Sequence, residues 1–233
     1  MDYSHFLPRL SPEQRSSLEQ RLSSTMLPRR IDRMVQVLAN RTRHLTIAFE
    51  DLYHPHNAGA VMRTAECFGI QDIHIVENLK HFRPSKGVVQ GSARWLTLHR
   101  YRDVKEAWRT LKDRGYRLAA TSVDPGSLPL EDLPVDQPLA LCFGTEELGL
   151  TEAAFAEADL HVHVPMVGFT ESLNVSVTAA LCIRELTQRI HQRDDWQLSQ
   201  AEIDDLRLTW LMQEGNKARA LTIAQLREWN LVG

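Results

Sequence analysis

Cysteine is scarce in this chain of 233 residues. There are three, Cys67, Cys142 and Cys182, an odd number with no C-x-x-C spacing among them. That argues against a disulfide framework and against a zinc ribbon, and it reads as small buried hydrophobes in a reducing compartment. Long apolar runs are missing as well: none approaches the roughly 18 residues of a membrane span. The opening Met1-Asp2-Tyr3-Ser4-His5 has no apolar core of a signal peptide. A cytoplasmic protein without membrane attachment is the expectation. The nucleotide fingerprints are absent too, with no G-x-G-x-x-G after the first strand and no phosphate-loop lysine. Dinucleotide dehydrogenases, P-loop enzymes and the common Rossmann methyltransferases are thereby disfavoured. No G-x-S-x-G elbow supports a hydrolase. His54 with His56, and His161 with His163, are close pairs, but no Cys, Asp or Glu cluster joins them, so no metal is expected.

Lysine is missing from residues 1–45, which carry eight arginines against four acids, a charge of +4. The whole chain sums to −3, so the rest carries −7. A second asymmetry runs from Asn78 to Arg102. There Lys80, Arg83, Lys86, Arg94, Arg100 and Arg102 meet no acid and are interleaved with His81, Phe82, Trp95, His99 and Tyr101. Cations with aromatics between them are what a phosphate backbone and unstacked bases require. A solvated basic face would show the same charge pattern.

Ser11-Pro12-Glu13-Gln14 reads as a helix start, with a Ser cap, Pro at the first position and Gln three residues past the cap. A second, arginine-rich helix follows Pro28, with Ile31, Met34, Val35 and Leu38 on one face. From Leu45 strands alternate with helices. Strands are expected at Thr46–Glu50, Asp72–Val76, Trp95–Leu98, Tyr116–Ser122, Leu139–Phe143 and His161–Val164. Helices are expected at His56–Phe68, Asp103–Arg114, after Thr151, and at Asn174–Gln192, with Gly69 and Gly115 as stops. This pattern implies an α/β fold, a largely parallel sheet with helices on both faces. Capping patterns at Ser199 with Glu202, and at Thr222 with Gln225, predict two further helices. The expected organisation is an Arg-rich helical extension at 1–44, a central domain at 45–193 and a helical extension at 194–233.

Three polar segments carry candidate chemistry. In Asn57-Ala58-Gly59-Ala60-Val61-Met62-Arg63-Thr64, Asn57 can cap a helix, small residues allow close approach, and Arg63 can reach back towards Asn57. Phe143-Gly144-Thr145-Glu146-Glu147-Leu148-Gly149 brackets adjacent acids with glycines at the carboxyl end of a strand, where ligands of open α/β sheets collect. Val164-Pro165-Met166-Val167-Gly168-Phe169-Thr170-Glu171-Ser172-Leu173-Asn174-Val175-Ser176-Val177 leads from a strand through a Pro/Gly loop into a long helix. Asn174 or Ser172 can cap that helix, leaving backbone N–H groups for a small polar ligand.

Together and in this order, the three segments resemble the sequence motifs of the SpoU family of RNA ribose methyltransferases, part of the SPOUT class. The resemblance spans roughly Pro28 to Arg193, and Ser172-Leu173-Asn174-Val175-Ser176-Val177 is its most specific element. Tyr53-His54-Pro55-His56-Asn57, followed by Arg63-Thr64-Ala65, is similar to the members that act on a tRNA guanosine. The resemblance implies an S-adenosylmethionine enzyme, a C-terminal trefoil knot and a homodimer. It also implies tRNA as partner, with 2′-O-methylation of the D-loop guanosine at position 18. By position, Asn57, Arg63, Glu146, Ser172 and Asn174 match the family's functional polar residues. Thr121, Val164 and Leu173 match cofactor positions, with Gly144 and Met166 lining the same pocket. Helical extensions contact tRNA in such enzymes, so Arg29, Arg30 and Arg33 are RNA-binding candidates, joined by Lys86 and Arg94 of the acid-free stretch. A 23S rRNA guanosine, a tRNA anticodon-loop nucleotide, or a catalytically silent RNA-binding paralogue are the competing readings.

Overall fold

The computed structural model describes residues 3–51, 54–78 and 91–232. The chain forms two compact units, Thr42–Trp196 and a second composed of Met1–Arg41 with Gln197–Gly233. The two ends, read from sequence as separate extensions, therefore build one helical unit.

The larger unit is a seven-stranded sheet. Its strands are β1 (Leu45–Glu50), β2 (Asp72–Val76), β3 (Thr97–Tyr101), β4 (Arg117–Thr121), β5 (Leu128–Pro129), β6 (Leu139–Phe143) and β7 (Leu160–His163), in the spatial order β3-β2-β1-β6-β4-β7-β5. Every pairing is parallel. Both faces are covered, as the near-continuous apolar strands require. Ile47, Phe49, Leu139, Leu141 and Phe143 pack on one face with Val61 and Met62 of α3 (Pro55–Cys67) and with Ile183 and Leu186 of α6 (Val175–Ile190). Ala48, Ala140 and Cys142, offset by one residue, face the other side with Trp108 and Leu111 of α4 (Val104–Asp113) and Ala154 of α5 (Glu152–Ala156). Side chains of a strand alternate between faces, so one strand serves both cores.

Local chemistry sets the boundaries. Asp103 caps α4 through Lys105 N–H, Thr151 caps α5 through Ala154 N–H, and Asn174 caps α6 through Ser176 N–H. Gly69 and Gly115 close α3 and α4 at φ +84°, a conformation that glycine adopts without strain. Two sequence expectations are displaced. The strand placed at Trp95–Leu98 lies at Thr97–Tyr101, preceded by a 3₁₀ turn at Ala93–Trp95. Asn57 does not cap α3: His54 holds that position, Pro55 is the first helical residue, and Asn57 sits inside the first turn. Pro55 has no N–H to need a cap, and its φ suits the first turn. Cys142 and Cys182 are buried, but Cys67 is exposed at the end of α3.

The helical unit comprises α1 (Pro12–Ser23), α2 (Pro28–Leu38), α7 (Gln200–Gln213) and α8 (Gly215–Glu228), with a 3₁₀ helix at Ser4–Arg9. Ser11 with Gln14, and Ser199 with Glu202, form complete capping boxes. The pattern at Thr222 is not a helix start. Thr222 lies within α8, fully buried, and its hydroxyl donates to the Ala218 carbonyl at 2.9 Å. On α2, Met34 and Leu38 are buried but Val35 is 48% exposed, so the apolar face is narrower than expected. The arginines of this unit are not all free charge. Arg15 pairs with Asp205, Arg30 with Glu214 at 2.8 Å, and buried Arg41 sits 5.2 Å above the Trp210 ring.

Candidate functional site

Strands β6, β4 and β7 are neighbours, and their carboxyl ends release the segments that matter. After β6 the chain turns back on itself. Thr145 and Gly149 exchange backbone hydrogen bonds of 2.9 and 3.0 Å, with Gly149 at φ +68°. Gly144 lies so close to this turn that a Cβ there would collide with the backbone of Gly149 and Leu150. At the end of β4, the Thr121 hydroxyl donates to the Cys142 carbonyl at 2.9 Å. After β7 the loop from Val164 runs to Asn174, whose side chain accepts from Ser176 N–H at 2.9 Å and opens α6.

These segments enclose a cavity of about 360 Å³. All five positions expected to contact the cofactor, Thr121, Gly144, Val164, Met166 and Leu173, lie in its wall. Glu146 and Ser172 lie there too, with Phe143 and Leu150 adding apolar surface. A concavity of this size, lined by both polar and apolar groups, suits a small organic ligand.

Beside the cavity runs a chain of polar side chains from three segments. Asn174 Nδ2 donates to Asn57 Oδ1 at 3.5 Å, and Asn57 Nδ2 donates to Glu146 Oε1. The second carboxylate oxygen of Glu146 faces His54 Nε2 at 3.6 Å. So the structure brings together Asn57, Glu146 and Asn174, with Ser172 in the adjoining wall. It does not bring in Arg63, which is exposed and has no hydrogen bond or ion pair among the described residues.

Sequence reasoning passed over Glu50. This acid ends β1, is 1% exposed, and accepts from Thr151 N–H and Thr151 Oγ1 at 2.8 Å and from Asn78 Nδ2 at 2.9 Å. The available signal was a single carboxylate terminating an otherwise apolar strand. Such a group is buried only when its acceptor capacity is used.

The RNA-binding candidates divide. Arg29 and Arg33 are exposed and, with Arg30, Met26, Leu27 and Glu214, line a notch of about 550 Å³ in the helical unit. Arg94 is exposed and stacks over Trp95 at 4.2 Å. Lys86 lies outside the described residues, as do Lys80 and Arg83. Part of the acid-free stretch is sheet interior. His99 stacks on buried His74 at 4.5 Å, and Tyr101 is buried, its hydroxyl 2.9 Å from His74 Nδ1. Burial, aided by neighbouring His99, pushes the His74 pKa down to about 3. Burial would raise that of Asp72, but His99, 3.4 Å away, and the charge of Arg43, 2.8 Å away, hold it below the usual carboxylate range. Arg100 is met by Glu77 at 2.8 Å, an acid just outside the stretch. No group of three or more His, Cys, Asp or Glu among the described residues could hold a metal ion, and no helix among them is long and apolar enough to cross a membrane.

Residues 44–184 match the model of the SpoU rRNA methylase family. A tRNA (guanosine(18)-2′-O)-methyltransferase of Borreliella burgdorferi is 38% identical over 78% of this chain and 84% of its own length. The enzyme of the same description from Escherichia coli K12 is 31% identical over 76% and 80%. Among solved structures, the A. aeolicus TrmH/SpoU tRNA modifying enzyme superposes with a TM-score of 0.72 at 25% identity, covering 81% of this chain and 98% of that one. The family match covers the unit that contains the cavity and the polar chain beside it, and the chain belongs to the SpoU methylase family.

Proposed function

We propose that this protein transfers a methyl group from S-adenosylmethionine to the ribose 2′-hydroxyl of guanosine 18 in the tRNA D loop, acting as a homodimer in the cytoplasm. The observation that carries the reading is the cavity at the ends of β6, β4 and β7 with the Asn174–Asn57–Glu146 chain at its side. The substrate follows from relatives that bear this activity in their descriptions and align over most of both chains. The trefoil knot comes with the same family reading.

The cavity suits the cofactor. Val164, Met166 and Leu173 offer apolar surface for a purine, Thr121 and Ser172 offer hydroxyls, and the turn packed against Gly144 forms the adjoining wall. When bound there, S-adenosylmethionine supplies the electrophilic methyl group and a good leaving group. The protein must then make a ribose hydroxyl nucleophilic, which requires proton removal as attack proceeds, and align the reacting atoms. Arg63 is assigned the activating role. A guanidinium stays protonated at any working pH, so it is a poor base. It acts instead as a bidentate clamp on the adjoining phosphate, stabilising the developing alkoxide while the proton leaves to a phosphate oxygen or to water. Its lack of an internal partner among the described residues leaves all its donors for RNA. Asn57 and Glu146 hold each other and orient the ribose, while Asn174 and Ser172 shape the loop that closes the cofactor site.

A second copy of the chain has a surface to meet. Val167 and Phe169 are fully exposed, and Leu173, Val177 and Leu181 are each more than a third exposed along the loop and α6. Grouped exposed apolar residues of this kind mark an interface. Arg29, Arg30 and Arg33, with Arg94 and Lys86, are read as tRNA phosphate contacts.

Incubation with labelled S-adenosylmethionine and unmodified total tRNA and rRNA, followed by mapping of the methylated nucleotide, tests the reading. Label confined to guanosine 18 of tRNA is the expected result. Label in 23S rRNA or at an anticodon-loop ribose replaces the substrate, and RNA binding without any transfer replaces the activity.

A further inference from the structure

Glu50 belongs to none of the three motifs, yet its burial and its partners make it the most constrained carboxylate near the cavity. Its side chain, 1% exposed, receives three hydrogen bonds of 2.8 to 2.9 Å from two directions. One direction is Thr151, which gives both its backbone N–H and its hydroxyl. Thr151 ends the segment that starts at Gly144, and its hydroxyl also caps α5 by accepting from Ala154 N–H at 3.2 Å. The other direction is Asn78, two residues past β2 and the first residue of the acid-free basic stretch.

The Gly144–Leu150 turn forms much of the cavity wall and carries Glu146. Near the middle, Glu146 is met by Asn57. At the start, Gly144 is fixed by close approach to Gly149, and at the end Thr151 is fixed by Glu50. Residues 145–149 make hydrogen bonds mainly among themselves, and Leu148 is 86% exposed. Without its end anchor, such a turn moves as a unit.

We propose that Glu50 is a positioning residue for the methyl-transfer site, its buried carboxylate tying the cofactor loop at Thr151 to the exit of β2 at Asn78. The inference rests on the reading of the cavity as the S-adenosylmethionine site. Hydrogen bonds to a buried carboxylate are charge-assisted, and removing the acceptor leaves the Thr151 N–H without its partner. The amide of Glu50→Gln has the same shape but puts an NH2 donor in place of one of the two accepting oxygens, so either Thr151 N–H or the Thr151 hydroxyl and Asn78 amide pair loses its acceptor. Because Asn78 shares the acceptor, Thr151 and the exit of β2 are held by one carboxylate.

The test uses Glu50→Gln, Thr151→Val and Asn78→Ala in the full chain, with three readouts: affinity for S-adenosylmethionine by calorimetry, kcat and KM on tRNA, and amide hydrogen exchange in 144–151. Cys182→Ala, a core change outside the cavity wall, controls for lost stability. Glu50→Gln should raise the cofactor Kd about tenfold and speed exchange in 144–151. Thr151→Val should reproduce part of the effect and add nothing to Glu50→Gln. Asn78→Ala, which removes one donor and leaves both Thr151 contacts, should raise the cofactor Kd less than Glu50→Gln does. An unchanged cofactor Kd in Glu50→Gln overturns the inference, whether or not exchange rises. So does a Kd increase no larger than that of the control at equal loss of melting temperature. A wild-type chain that binds no S-adenosylmethionine overturns the reading of the cavity itself, and exchange in Glu50→Gln still decides whether the anchor exists.

Discussion

At the carboxyl ends of the strands, Asn174, Asn57, Glu146 and His54 form a polar chain open to solvent. On the α4 face of the same sheet, Arg43, Asp72, His99, His74 and Tyr101 form another with His74 wholly buried. The residue types are nearly interchangeable: acids, histidines, a hydrogen-bonding anchor. Their settings are not. The open chain lies beside a cavity, carried by the first turns of α3 and α6 and by the turn after β6. The closed one lies within two paired strands, where His74 is held neutral and Asp72 is held charged by its neighbours. A histidine or carboxylate is therefore a candidate for chemistry by virtue of which end of the strand it leaves, more than by its type.

The contrast can be broken experimentally. The largest effect belongs to Arg63, the exposed cation with no internal partner among the described residues. Arg63→Ala should reduce methyl transfer about 10²- to 10³-fold, a magnitude typical of lost transition-state stabilisation, with cofactor affinity unchanged by calorimetry. Arg63→Lys should also be impaired if a bidentate fork is needed. Full activity in Arg63→Lys would reduce its role to simple charge. Next comes Gly144→Ala. The new methyl group would meet the Gly149 and Leu150 backbone, so cofactor affinity should fall at least about 30-fold while the helical unit stays folded. Normal binding would mean that the turn opens at little cost.

A smaller, graded effect is expected from replacing Arg29, Arg30 and Arg33 with Ser. The slope of log binding against log salt on tRNA should flatten by about 2, because each phosphate contact contributes roughly 0.7–0.9, with no change in cofactor affinity. An unaltered slope would assign this notch to packing.

The smallest effect on activity, and the one that most sharpens the contrast, concerns His74. The unfolded chain protonates this residue near pH 6.5 and the folded chain only near pH 3. Between these values the unfolded state binds more protons, so stability falls as pH falls, by up to about 1.4 kcal/mol per pH unit. Replacing His74 and Tyr101 together with Phe should reduce that slope between pH 6.5 and 5 in denaturant titrations. Methyl transfer at pH 7 should stay within about twofold. A large loss of transfer at unchanged stability would erase the distinction between the two chains.

Much of the fold could be read from local signals because local chemistry enforces it. Ser11, Asp103, Thr151, Asn174 and Ser199 all cap the helices they announce, and the apolar strands lie within a few residues of their expected places. Thr222 misled because a Thr followed three residues later by Gln is also compatible with a buried helical interior, where the hydroxyl turns to the carbonyl four residues back. Much of the cavity wall was legible because it lies in the two segments Phe143–Gly149 and Val164–Val177, while Thr121 came only with the family resemblance. The partners within it were not: Asn57 and Glu146 lie 89 positions apart, and Glu50 and Thr151 lie 101 apart. Nothing in the local pattern marks such pairs. The same holds for His99 and Tyr101, whose apparent place in a basic, aromatic surface gave way to strand alternation that turns them inward.

The helical unit is assembled from residues at both ends of the chain, and this sets an order of events during synthesis. Leu18, Leu22, Met34 and Leu38 leave the ribosome early, but α7 and α8 follow only after the entire sheet has been made. At about 5–20 residues per second, that interval is on the order of ten seconds. During it the first two helices have an apolar face and no cover. A nascent chain thus carries a sticky handle for chaperones, and premature termination anywhere between residues 42 and 196 would release a product with that handle permanently exposed.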